Sequence, residues 1–220
     1  MAATIASLTL ADHLRAVTGR EIYLFLDWDV FLAWVPLGLS LIIELAAFYL
    51  KKKHTALKTL ILLPLGLAWL LFYPNSAYLI TDMLHPFMRV QADGGGHFVQ
   101  TMEFWKHLFI FLTAASVGVL LSVVSLYSLH QLVRQAFGAV AGWLFTVGIL
   151  LLSSFGIYIG RFVRWNTWDV WTRPHVIFGQ LYEIVTNAKA EALLIPFTSL
   201  IFAFTLFFYV VLYAFTWIRR

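Results

Sequence analysis

Five long apolar runs, broken by short polar or basic interruptions, set the pattern of this chain. The first extends from about Trp28 to Leu50 and stops at Lys51, Lys52, Lys53 and His54, charges that enter hydrocarbon only at high cost. The second runs from Leu57 to Ile80. Pro74 is expected to kink or break it, because proline lacks a backbone donor and disfavours helix in the residue before it. The third covers about Phe104 to Leu129, the fourth Ala139 to Gly160 and the fifth Leu193 to Trp217. Each is close to the roughly 20 residues that a helix needs to cross a bilayer. The pattern predicts an all-α, polytopic transmembrane bundle of five spans in one domain, residues 1–220.

Two further segments carry a narrower apolar face. Leu8, Leu10, Ala11, Leu14 and Val17 fall on one side of a helix, as do Val176, Ile177, Leu181, Ile184 and Val185 in the stretch opened by Pro174; both read as short helices lying in the interface. Residues 81–101, with Gly94, Gly95 and Gly96, read as a loop. Small residues recur at helical spacing in the third span (Ala114, Gly118, Ser122, Ser125). Gly138 with Gly142 and Gly156 with Gly160 frame the fourth, a pattern that admits close helix crossings. Met1 to Ala6 carry no positive charge, and Asp12, His13 and Arg15 interrupt the next stretch of chain, so no cleavable leader is expected.

Composition agrees with the pattern. Of 220 residues, 61% are hydrophobic and 12% charged, against about 25% charged in soluble domains. The absence of cysteine excludes disulfides, thiolate metal ligation and a cysteine nucleophile. The basic residues are divided among membrane-flanking segments, not gathered in one stripe, which argues against nucleic-acid binding. Lys51, Lys52, Lys53, Lys58, Arg134, Arg219 and Arg220 fall on one side in short connections without acids. The positive-inside rule makes that side cytoplasmic and puts the amino terminus outside and the carboxyl terminus inside, in an inner membrane. No internal repeat of the kind found in inverted-repeat transporters is visible.

With this topology the ends of spans two and four emerge on the same outer face, and both are rich in functional groups. If helix resumes after Pro74, then Asn75, Tyr78 and Asp82 share one face, and Tyr78, Thr81 and His85 another. On a helix continued past Gly160, Arg161, Arg164 and Trp168 align, with Trp165, Asn166, Asp169 and Trp171 nearby. Guanidiniums there suit a carboxylate or phosphate. The plainer reading makes the tryptophans an interfacial belt and joins Asp82 to Arg161 or Arg164 as a half-buried ion pair tying two spans. Glu44, an acid inside span one, is either functional or reaches Lys51 at the interface. His85, His97, His107 and His130 sit at or beyond span ends, unsuited to axial haem ligation. Zinc-ligand spacing is absent, and no metal site is predicted.

The runs FLAWVPL, YPNSAYLITDMLH and SSFGIYIGRFVRWNTWD, in that order, resemble a family of bacterial membrane proteins grouped as domain of unknown function 1361, from about Phe31 into the last span. The family's pattern falls here on Pro74, Asn75, Tyr78, Thr81, Asp82, His85, Gly160, Arg161, Arg164, Trp165, Asn166, Trp168 and Asp169. The resemblance implies no activity, substrate or cofactor.

The sequence favours a binding or accessory membrane protein. Its outer polar pocket would be lined by Asn75, Tyr78, Thr81, Asp82, His85, Arg161, Arg164, Trp165, Asn166, Trp168 and Asp169, and would hold an anionic lipid headgroup or another membrane subunit. Two alternatives stand beside it. One is an enzyme on a lipid-linked phosphate or ester, with Asp82 or His85 as base and the arginines steadying negative charge. The other is a small transporter or its substrate-binding component, with Glu44 coupled to the outer site.

Overall fold

The computed structural model describes residues 1–18, 23–51, 54–89, 102–164, 172, 175, 179 and 188–218, with backbone alone at 89, 188–191 and 217. Helix α1 (Ala2–Thr18) precedes α2 (Leu24–Tyr49) and α3 (Thr55–Tyr78). A 3₁₀ turn (Thr81–Leu84) leads into the short α4 (His85–Arg89); α5 (Met102–Phe137) and α6 (Ala139–Tyr158) come next. A π turn (Ile159–Val163) extends α6, and α7 (Ala188–Ile218) closes the chain. There is no strand among the described residues. Five helical stretches, Leu24–Tyr49, Thr55–Met88, Met102–Phe137, Ala139–Val163 and Ala192–Thr216, are long and apolar enough to cross a membrane. This is a multi-pass membrane protein. The expected interfacial helix after Pro174 lies outside the described residues, as do Gly94, Gly95, Gly96 and His97.

Helix α5 is the axis of the bundle. It is the most buried of the five spans and touches α1, α2, α3, α6 and α7. Its stripe of small residues lets neighbours come close, because a short side chain leaves the partner backbone room. At Gly118 an added Cβ would run into the carbonyl oxygen of Ser76, so α3 lies against the α5 backbone itself. On α6, a Cβ at Gly156 would stand 3.0 Å from Pro74 Cγ.

Polar groups along these crossings are satisfied between helices, as they must be where water is scarce. Ser76 Oγ donates to the Ala33 carbonyl (2.7 Å), and Ser122 Oγ to the Tyr73 phenol (2.9 Å). Trp69 Nε1 donates to Ser125 Oγ (2.8 Å), which in turn donates to the Pro36 carbonyl (2.9 Å).

Three expectations change. Pro74 does not break span two: α3 continues through Pro64 and Pro74 to Tyr78, and the irregular winding begins after it. Proline is tolerated inside a membrane helix when neighbours pack around the disturbed turn, and here its ring rests on Gly156. Residues 81–89 are helical, not loop. Finally, His107 and His130 are buried inside α5, which extends beyond the predicted span at both ends.

Two contacts fix which helix ends share a face. Arg161 at the end of the α6 region meets Asp82 just past α3, and Tyr23 before α2 meets His107 near the start of α5. Helix α1 packs onto that same end, where Ala11 and Leu14 join a core with Tyr23, Leu26, Ile110 and Phe111. At the opposite end, α5 and α6 are separated by the single residue Gly138, held at φ 93°, a conformation that glycine adopts without strain.

Candidate functional site

The site forms where two helices lose their regular winding. After Tyr78 the hydrogen bonds shorten in register, from the Asp82 amide to the Leu79 carbonyl and from Met83 to Ile80 (3.3 Å each). The tighter 3₁₀ winding holds Asp82 in the interior, 2% exposed. Across from it, the last turn of α6 widens into a π turn closed by the Arg164 amide donating to the Ile159 carbonyl (2.9 Å). Such π turns accommodate an extra residue and recur at functional sites. Gly160 lies in that turn: a Cβ there would stand 3.2 Å from Tyr78 Cε2, so glycine lets the phenol ring lie on the backbone.

Arg161 reaches Asp82 Oδ1 with Nη1 at 3.4 Å, beside the Tyr78 phenol. The guanidinium therefore ties the end of the α6 region to the extension of α3. His85 turns back toward the same carboxylate, its Nδ1 lying 2.9 Å from the Asp82 carbonyl and 3.7 Å from Oδ1. The His85 ring packs against Phe25 and Phe111, with centroids 4.7 and 5.3 Å away. Thr81 spends its hydroxyl on the Tyr78 carbonyl (2.8 Å). Asn75 keeps a buried amide nitrogen, and Asp82 a buried Oδ2, with no partner among the described residues.

The expected helix through Arg161 and Arg164 ends at Val163: Arg164 adopts φ 62°, and its exposed side chain makes no ion pair among the described residues. Trp165, Asn166, Trp168, Asp169 and Trp171 lie outside the described residues. Glu44 is half-buried on α2 and makes no ion pair with Lys51. Among the described residues no group of three or more His, Asp or Glu is arranged to hold a metal ion.

A family model described as "Protein of unknown function (DUF1361)" matches residues 28–214. The chain belongs to this family. No curated protein and no solved structure matches it. For this DUF1361 protein the coarse expectation stands, a membrane protein of that family, and its chemistry has to be argued from its own residues.

Some of those residues were not singled out from sequence. Asp29, half-buried on α2, lies close enough to Asp82 and to Tyr78 for their charges to interact. An acid one residue inside the first apolar run, directly after Trp28, was the available clue. Tyr23 and His107 share a buried hydrogen bond of 2.8 Å that had no short-range pattern, since 84 residues separate them.

The opposite end of the bundle holds a second cluster. His130 is fully buried, its Nδ1 2.6 Å from the Tyr209 phenol and 3.0 Å from Thr146 Oγ1. Its ring stacks with Tyr209 and Tyr213 and meets Trp143 edge-on. A Cβ at Gly142 would stand 2.9 Å from His130 Cδ2 and Nε2, so the imidazole fills the groove that this glycine leaves. Arg134 donates to the Tyr213 phenol (3.0 Å).

Proposed function

We propose that this protein is a membrane binding or accessory protein whose outer face captures an anionic group through Arg164, on a support built by Asp82, Arg161 and Tyr78. The observation that carries this reading is the division of labour between the two arginines. Arg161 is committed to a buried carboxylate, while Arg164, three residues on, is exposed and makes no ion pair among the described residues. An exposed guanidinium at a membrane surface is suited to a phosphate or carboxylate. The two groups best placed for catalysis are less available for it: Asp82 is buried and paired, and His85 faces the Asp82 backbone between two phenylalanines. This supports binding over acid–base chemistry.

We place the site on the outer side of a bacterial inner membrane, with the amino terminus outside and the carboxyl terminus in the cytoplasm. Support comes from Lys51, Lys58 and Arg134 at the other end of the bundle. The captured group is a lipid headgroup or an acidic segment of a membrane partner.

Native mass spectrometry from nanodiscs containing phosphatidylglycerol tests the reading. Wild type should retain anionic lipid. Arg164→Ala should lose it while melting as wild type does, and Arg161→Ala should melt lower. An Arg164→Ala protein that retains the lipid unchanged would refute the assignment.

A further inference from the structure

On α2 the residues turned away from the bundle recur every three or four positions. Gly38, Leu41, Leu45 and Phe48 are all exposed, with the spacing of the a and d positions of a heptad. A Cβ at Gly38 would meet nothing within 4 Å, so another backbone can come close to this face. Helix α7 also turns Leu200, Phe207 and Val211 outward, as a peripheral span does, but it carries no charged residue between Ala192 and Thr216. The α2 face differs by an acid. Glu44 occupies the flanking g position, seven residues before Lys51 and therefore about 10 Å below the basic boundary of the span. It is half-buried, and its carboxylate makes no hydrogen bond or ion pair among the described residues. A carboxylate at that depth is costly unless a donor reaches it.

We propose that α2 is the interface of a parallel homodimer, in which this seam meets its own copy and each Glu44 accepts a hydrogen bond from Tyr49 of the partner subunit. Two copies inserted with one orientation run their α2 helices in parallel, and a two-fold axis along the membrane normal sets each position against its counterpart. In such a pair the a and d residues meet across the axis, and a g side chain lies beside the following e position of the other helix. For Glu44 that position is Tyr49, 71% exposed and likewise without a hydrogen bond among the described residues. A phenol donates and a carboxylate accepts, so the contact is self-complementary and occurs twice. A foreign helix with a basic residue would answer Glu44 alone; a second copy answers the acid, the phenol and the seam together. The seam lies in the half of α2 away from the Asp82–Arg161 pair, so dimerisation and anion capture are separable.

The test uses the full chain, which contains no cysteine of its own. Oxidised with copper phenanthroline in membranes, Leu41→Cys and Leu45→Cys should form disulfide-linked dimers, and Phe207→Cys on the outward face of α7 should stay monomeric. Energy transfer between amino-terminally labelled copies, diluted stepwise with lipid, gives the dissociation constant of the dimer. Glu44→Leu and Tyr49→Phe should each raise it about fivefold, the double variant should raise it no further, and Glu44→Gln, whose amide oxygen still accepts, should stay near wild type. Gly38→Ile, at an exposed position, should abolish the dimer while melting as wild type does. A wild type that stays monomeric in vesicles, crosslinking through α7 in preference to α2, or a dimer indifferent to both Glu44→Leu and Tyr49→Phe overturns the proposal. Crosslinking of Leu45→Cys to a different membrane protein, beside a monomeric wild type, overturns it as well and gives the face to a heterologous helix.

Discussion

At the scale of single residues, the Asp82–Arg161 pair makes a prediction in which the two partners are not equivalent. Removing the guanidinium leaves a carboxylate buried without a cation, whereas Asp82→Asn removes the charge that needed one. Arg161→Ala is therefore expected to destabilise the protein by about 3 kcal/mol, and Asp82→Asn by less, measured as denaturant midpoints in detergent; equal losses would show that the charge is not what the pair holds. Gly142 gives a steric counterpart. Its missing Cβ is the space that His130 occupies, so Gly142→Ala should cost about 2 kcal/mol, visible as a lowered melting temperature. The charged members of the site could be read from sequence, because Asp82, Arg161 and Arg164 interrupt apolar runs. Which arginine pairs with the acid could not, since the choice depends on how the π turn distributes residues 159–163. Asn75, Thr81 and Tyr78 were read as equals, yet Tyr78 meets the guanidinium while Thr81 turns to its own backbone.

At the scale of elements, the helix interiors obeyed their apolar patterns and the helix ends did not. Spans two and four were legible because 20 or so apolar residues have few other places to go. Their ends were not, because a 3₁₀ turn and a π turn differ from an α turn by where one hydrogen bond lands, and tertiary contacts choose among them. Pro74 is the instructive case: a local rule predicts a kink or a break, and the helix continues through the residue, whose ring packs against Gly156. The crossing of α3 and α5 at Gly118 is the tightest constraint on how these helices meet. Gly118→Ala must move the Ser76 backbone, and a loss of about 3 kcal/mol is expected, with Ser76→Ala much milder because it removes one hydrogen bond of about 1 kcal/mol. Chemical denaturation of the two variants side by side checks the order.

At the scale of the whole molecule, five spans place the two ends of the bundle on opposite sides of the membrane. A chain without cysteine makes this easy to measure. Lys51→Cys and Arg164→Cys should label from opposite sides with an impermeant maleimide, and the proposed orientation expects Arg164→Cys to react in intact cells. The number of candidate spans and which of their ends share a face were legible because hydropathy and length act over whole segments. The partners of His107 and His130 were not, because Tyr23 and Tyr209 reach them from distant parts of the chain. Helix α5 also governs the order in which the protein can be made. Trp69 and Tyr73 on α3 find their polar partners on Ser125 and Ser122, residues synthesised about 50 positions later. Until α5 leaves the ribosome, the indole and phenol of the nascent α2–α3 hairpin have no partner from that helix, so the hairpin has reason to linger beside the insertion machinery. Release into lipid is then tied to the arrival of the third span, and crosslinks from α3 to the machinery in stalled chains should persist up to Ser122 and fade once Ser125 has been inserted.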